Sequence, residues 1–222
     1  MVFFAYAKTN QDDATWRYII VAPNMNTLDF FWYRQLHEVK PAAELNRESP
    51  EFYTFNSNNI DLGRCTYTGH DSHEFMNKLI FTLLDDVGGR QWPPFINDEH
   101  VNRISGNTFY IRSKSDPRVF WYDKGDGKIY ASQQGRTRFR IQNKNRALER
   151  EVMINSDSIS ISPVSNKDVE IAIDQDAGLH ISSIGGEMTL GDLKSNFLSL
   201  GHGDNIRVTQ NKDNGEEWEL VA

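Results

Sequence analysis

The chain has 222 residues, 38% of them hydrophobic and 25% charged, with a formal net charge of -7, enough for two small domains with separate cores. No apolar run approaches the roughly 18–20 residues that a membrane-spanning helix needs, and the opening MVFFAYAKTNQDD lacks the basic region and small-residue cleavage site of a secretory signal. The single cysteine, Cys65, excludes an internal disulfide and suits a reducing compartment, so the expectation is a cytoplasmic protein without membrane insertion, with non-classical secretion left open.

The first hundred residues read as mixed α and β. Val2–Lys8 and Trp16–Ala22 are rich in aromatic and β-branched residues and flank a polar turn, which predicts an antiparallel hairpin. Leu28, Phe31, Leu36 and Val39 then recur at near-helical spacing up to Pro41. Within that helix Phe30, Phe31, Trp32 and Tyr33 make the surface apolar nearly all round, so it is buried or docks a second copy, the latter giving a homo-oligomer assembled through the N-terminal domain. Phe52–Phe55 and Arg64–Thr68 read as further strands.

A second helix is expected next. Asp71 or Ser72 supplies a cap, Glu74 a first-turn charge, and Phe75, Leu79, Leu83 and Val87 one face before Gly88-Gly89 ends it. Gln91-Trp92-Pro93-Pro94-Phe95 has the stiffness of a linker or strap. The domain boundary is placed near residue 100, giving an α+β domain over residues 1–100 and an all-β domain over residues 101–222.

From Thr108 onward turn signals come every few residues. Twelve short strands are expected: 108–113, 119–123, 128–132, 137–142, 151–155, 158–162, 169–174, 178–184, 187–190, 196–200, 205–209 and 216–221. Charge is uneven as well. Residues 103–150 carry 12 basic and 4 acidic side chains, whereas residues 151–222 carry 4 and 13. The basic section, with Arg136, Arg138, Arg140, Lys144, Arg146 and Arg150, either attracts phosphate or sulfate or faces its acidic neighbours.

Three phrases place apolar residues two apart on one strand face: Thr137-x-Phe139-x-Ile141, Val169-x-Ile171-x-Ile173 and Glu216-x-Trp218-x-Leu220. On these phrases residues 104–222 resemble a β-trefoil of the ricin-type lectin-like superfamily, whose repeats often close with Gln-x-Trp and an aliphatic residue. The glutamine is absent from all three phrases here, and the second interval is longer than the first.

The resemblance implies that the all-β domain over residues 101–222 is a β-trefoil and the protein a non-enzymatic glycan- or glycoprotein-binding one, with an acidic side chain taking sugar hydroxyls and an aromatic ring packing on the pyranose. The first repeat holds such parts in Asp116, Trp121, Tyr122, Asp123, Asp126 and Tyr130, whereas no Phe, Trp or Tyr occurs between Asn143 and Asn196. One main carbohydrate site in the first repeat is therefore expected, without cofactor or metal. Against it stands the reading that Trp121 or Tyr122 is core and Asp123–Gly127 an ordinary hairpin turn.

Other chemistry competes. A protease-inhibitor or other protein-binding trefoil would act through its loops, and a two-domain toxin or enzyme would use Cys65 with His70 or His73. Cys65, His70 and His73 also have the donor types of a zinc site, although Cys-x4-His-x2-His is an unusual spacing. His37 and Glu38 are acid–base types found on any helix surface. No P-loop, Rossmann glycine pattern, HExxH or GxSxG occurs, and a nucleic-acid partner is not expected.

Overall fold

The computed structural model describes residues 2–11, 15–39, 44–70, 72–84, 100–145, 148, 150–199 and 205–222. It is mostly β-sheet with few helices, in two compact units, Met1–Asn102 and Arg103–Ala222. No helix among the described residues is long and apolar enough to cross a membrane.

In the first unit, alternation sets the strands. Strand β1 (Phe3–Thr9) pairs antiparallel with β2 (Tyr18–Ala22), and the inward row Ala5, Ala7, Ile20 is buried. Helix α1 (Met25–Arg34) starts at Asn24, whose side chain accepts from the Thr27 amide at 3.0 Å, and continues as a π-helical turn, Gln35–Val39. Strands β3 (Asn46–Ser49), β4 (Phe52–Phe55) and β5 (Ile80–Leu83) complete a sheet of order β3-β4-β1-β2-β5, in which β1 and β4 run parallel.

The apolar surface of α1 is absorbed inside this unit. Leu28, Phe31 and Trp32 are buried, Phe31 packs on Phe75 and Phe81 with centroids 5.4 and 5.6 Å apart, and the Trp32 indole donates to the Leu45 carbonyl at 2.8 Å. The helix therefore does not offer the continuous docking face that its sequence suggested.

Beneath it lies a buried ion pair. The Arg47 Nε donates to Asp29 at 2.9 Å with both side chains essentially unexposed (1% and 0%), and Arg47 Nη1 donates to Asn102 Oδ1 at 2.7 Å. Burial, with Asp29 close by, raises the pKa of the Tyr53 hydroxyl.

The helix expected beyond Ser72 is not formed. Residues His73–Phe75 make one 3₁₀ turn, a single helical bond links the Leu79 amide to the Phe75 carbonyl, and the chain then becomes β5 against β2. The spacing of four that brings Phe75 and Leu79 inward needs only that turn, and Ile80-Phe81-Thr82-Leu83 satisfies more backbone groups on the edge of β2 than in a short helix. Asp71, Val87, Gly88-Gly89 and the 91–95 strap lie outside the described residues. Arg64–Thr68 forms turns instead of a strand, and β3 is a strand the sequence did not announce.

The second unit contains β6 (Thr108–Ser113), β7 (Phe120–Asp123), β8 (Ile129–Ser132), β9 (Arg138–Asn143), β10 (Ile159–Pro163), β11 (Glu170–Ile173), β12 (Leu179–Ser182), β13 (Phe197–Ser199), β14 (Ile206–Gln210) and β15 (Trp218–Val221). Two expected strands are missing. Around residue 152, Val152, Met153 and Ile154 are all buried, which breaks alternation, and Val152 makes just an isolated bridge to Ile104. At 187–190 the chain makes one bridge, Thr189 to Ser158, before a 3₁₀ turn (Leu190–Lys194) held by the Thr189/Asp192 capping box.

A threefold pattern organises the rest. The hairpins β7–β8, β11–β12 and β13–β14 are linked in a ring through their second strands: Lys128 bridges His180, Gly178 bridges Thr209, and Ile206 pairs with Ala131. One backbone bond repeats in each: Thr137 to Trp121 (3.0 Å), Gly186 to Ile171 (3.1 Å) and Glu216 to Phe197 (2.8 Å), amide to carbonyl.

Each bond is followed by a buried pair, Phe139-x-Ile141, Met188-x-Leu190 and Trp218-x-Leu220. Ile171 stands on the first strand of its hairpin, as Trp121 and Phe197 do on theirs, and the buried pair that follows its bond is Met188-x-Leu190. The rings of Phe139, Phe197 and Trp218 surround Trp121 with centroids 6.4, 5.4 and 5.8 Å away, all edge-on, which is the favourable geometry for aromatic contact.

Candidate functional site

Of the six residues of the expected sugar site, the structure keeps Tyr122, Asp123, Asp126 and Tyr130 together on the β7–β8 hairpin, buries Trp121 and sets Asp116 in another loop. Trp121 is 0% exposed at the centre of the aromatic core, so its ring has no face for a pyranose; it is a core residue, the correction that alternation along β7 makes physical sense of. Tyr122 and Tyr130 pair directly across β7 and β8 on the outer face. Tyr122 lies over Gly135, where a Cβ would come within 2.8 Å of the ring.

Asp123 and Asp126 build the hairpin turn. Asp123 accepts from the Gly125 amide at 2.8 Å, and Asp126 accepts from the Lys128 amide at 3.0 Å, with Gly125 and Gly127 at φ of +89° and +79°. The remaining Asp126 oxygen accepts from the Tyr130 hydroxyl at 2.7 Å. That bond lowers the Asp126 pKa and raises that of Tyr130.

Asp116 lines a pocket that the other five do not enter. This pocket, about 420 Å³, lies within the second unit between the first and third hairpins and is bordered by Ser113, Ser115, Asp116, Gln133, Ser199 and Glu216, with Val119, Ala131 and Ile206 as its apolar wall. The loop after β6 presents Asp116 because its amide donates to Ser113 Oγ at 3.2 Å and Arg118 clamps its carboxylate with two bonds of 2.9 Å. Those Arg118 bonds hold the carboxyl below its ordinary value, and Gln133 Nε2 adds a donor at 3.3 Å.

On the opposite wall, Glu216 Oε1 accepts from the Ser199 amide at 3.0 Å and the Ser199 hydroxyl at 2.9 Å. The lining thus combines two carboxylates, one carboxamide and several hydroxyls. Chemically it can accept and donate hydrogen bonds to a polyhydroxylated ligand, but none of its lining side chains is an aromatic ring.

Sequence reasoning missed Gln133, Ser199 and Glu216. Glu216 lines the pocket together with Asp116 of a loop one hundred residues earlier, and nothing local in the sequence marks that approach.

The Cys65 thiol is buried and donates to the Leu62 carbonyl at 3.1 Å, whereas His70 and His73 are exposed. Among the described residues no group of three His, Cys, Asp or Glu side chains is placed to hold a metal ion. No protein-family model, curated protein or solved structure matches the chain.

Proposed function

We propose that the second unit is a β-trefoil module that binds a glycan in the Asp116–Glu216 pocket, and that the first unit is an α+β domain carried with it. The ring of three hairpins and the repeated bond into each closing pair support the trefoil assignment. The observation that carries the functional reading is the pocket lining: fixed carboxylates facing hydroxyl and amide groups suit vicinal sugar hydroxyls, each of which donates and accepts. Binding by this pocket relies on hydrogen bonds, with the apolar contact supplied by Val119 and Ile206 in place of a stacked ring.

The test is a glycan array on the intact protein, followed by titration of the best neutral glycan against Asp116→Asn and Glu216→Gln. Each variant keeps its size and loses an anionic acceptor, so affinity should fall about tenfold, the scale of one charge-assisted hydrogen bond. Unchanged affinity in both, or no neutral glycan bound at all, sinks the pocket reading.

A further inference from the structure

A second surface in the same unit points to a different ligand chemistry. Arg136, Arg138 and Arg140 occupy alternate positions along and just before β9, which places their Cα atoms about 6–7 Å apart on one face. Phe139 and Ile141, between and beyond them, are buried, so the three guanidiniums belong to the outer face and are exposed. Gln142 and Lys144 continue the same alternation.

Four other cations of this unit are committed to carboxylates, and Lys144 Nζ donates to the Gly186 carbonyl at 2.7 Å. Arg112 pairs with Glu219 at 2.5 Å, Lys114 with Glu217 at 2.8 Å, Arg118 with Asp116 at 2.9 Å, and Arg207 with Asp174. Among the described residues none of Arg136, Arg138 and Arg140 forms an ion pair. Three uncompensated positive charges therefore share one strand face in a protein whose formal net charge is -7.

Two of them are held in place by aromatic rings. Arg136 lies over Tyr110 and Phe120, 4.6 and 5.7 Å from their centroids, and Arg138 lies 5.5 Å from Tyr110. Arg140 sits between Thr108 of β6 and Ser162 of β10 in the register of the sheet, which sets hydroxyl side chains on either side of it.

We propose that this face binds a sulfated polysaccharide. A row of guanidinium forks matches sulfate groups repeated along a chain, each fork taking two oxygens. The same geometry disfavours single-stranded nucleic acid, because the rings a base would stack on are already covered by Arg136 and Arg138. None of these arginines lines the Asp116–Glu216 pocket, so the inference stands without the glycan reading.

The experiment titrates intact protein with a heparin dodecasaccharide, the same oligosaccharide fully desulfated, and a twelve-residue oligothymidylate. Expected is binding to the sulfated oligosaccharide whose affinity falls with salt at a log–log slope of about 2–3, the number of charges neutralised. The desulfated sugar should not bind, and oligothymidylate should bind at least tenfold more weakly.

The triple variant Arg136→Gln, Arg138→Gln, Arg140→Gln should lose at least tenfold in affinity and most of the salt slope. Arg140→Gln alone, which disturbs neither aromatic contact, should lose about threefold, roughly one exposed ionic contact; it decides the matter if the triple variant fails to fold. Heparin bound in this way with no neutral glycan bound would sink the pocket alone and leave this proposal standing, so the two failures are distinguishable. No binding of heparin, equal binding of the desulfated sugar or oligothymidylate, or full affinity in a folded Arg140→Gln variant overturns the proposal.

Discussion

The same chemical pair, an aspartate clamped by an arginine, occurs in both units with opposite consequences. Asp29–Arg47 is sealed beneath α1, whereas Asp116–Arg118 stands at a pocket rim with the arginine side chain 76% exposed. Sealed from water, neither partner can lose the other without stranding a charge; at the rim, solvent replaces whatever is removed. The polar groups of the first unit thus hold it together, while those around Asp116 are free to exchange water for a ligand.

The largest expected effects come from breaking the sealed parts. Asp29→Ala leaves Arg47 buried and should cost about 3–5 kcal/mol, read as a lower denaturant midpoint for the first unit with the second unchanged. Trp121→Ala should cost about 3–5 kcal/mol by opening the aromatic core, this time in the second unit. A loss of ligand binding by Trp121→Ala with full stability would contradict its placement in the core.

Acid should sharpen the contrast by a smaller amount. In the second unit the pKa values of Asp116, Asp126 and Asp174 are all lowered, the first by Arg118, the second by Tyr130 and the third by the Gly178 amide and then Arg207. Their stabilisation is present above the ordinary value of 3.8 and is lost as pH falls through the depressed values.

Glu51 in the first unit behaves the other way. Burial raises its pKa in spite of the bond from His100 at 2.6 Å, so its contribution is greatest below the ordinary 4.5 and is lost as pH rises through the raised value. Urea titrations at pH 5 and pH 3 should therefore show the second unit losing ground relative to the first; parallel shifts would count against this assignment. The smallest effect belongs to Arg118→Ala, which should lower the midpoint of the second unit only slightly at pH 7, as for an exposed pair, and leave that of the first in place.

The strands of the second unit were legible because alternation of Phe109, Ile111, Trp121, Phe139 and Ile141 with polar neighbours has one simple solution. What alternation left open was phase. In Trp121-Tyr122 one ring must point in and one out, and the choice rests on Ala131 opposite Trp121, whose small side chain leaves room for the indole. Ile171 and Met188 are both buried apolar positions, and a repeated backbone bond distinguishes them where letters do not.

The 73–83 segment misled because spacing of four describes Phe75 and Leu79 in a turn as well as in a helix. The pocket was illegible for a topological reason. Asp116, Gln133, Ser199 and Glu216 are brought together by β14 pairing with β8 and β15 pairing with β6, and no local pattern specifies those partners.

The pairing of β15 with β6 also sets the order of events during synthesis. Trp218 faces Ser113 and Val221 faces Tyr110, so β15 joins its sheet through contacts between residues more than a hundred positions apart. Such closure pays its loop entropy before any reward and slows folding. The β1–β2 hairpin can form as soon as Ala22 has cleared the ribosome, whereas the second unit must wait, incomplete and with its aromatic core open, until Val221 emerges. A cell making this protein has most reason to shield the nascent chain during that interval.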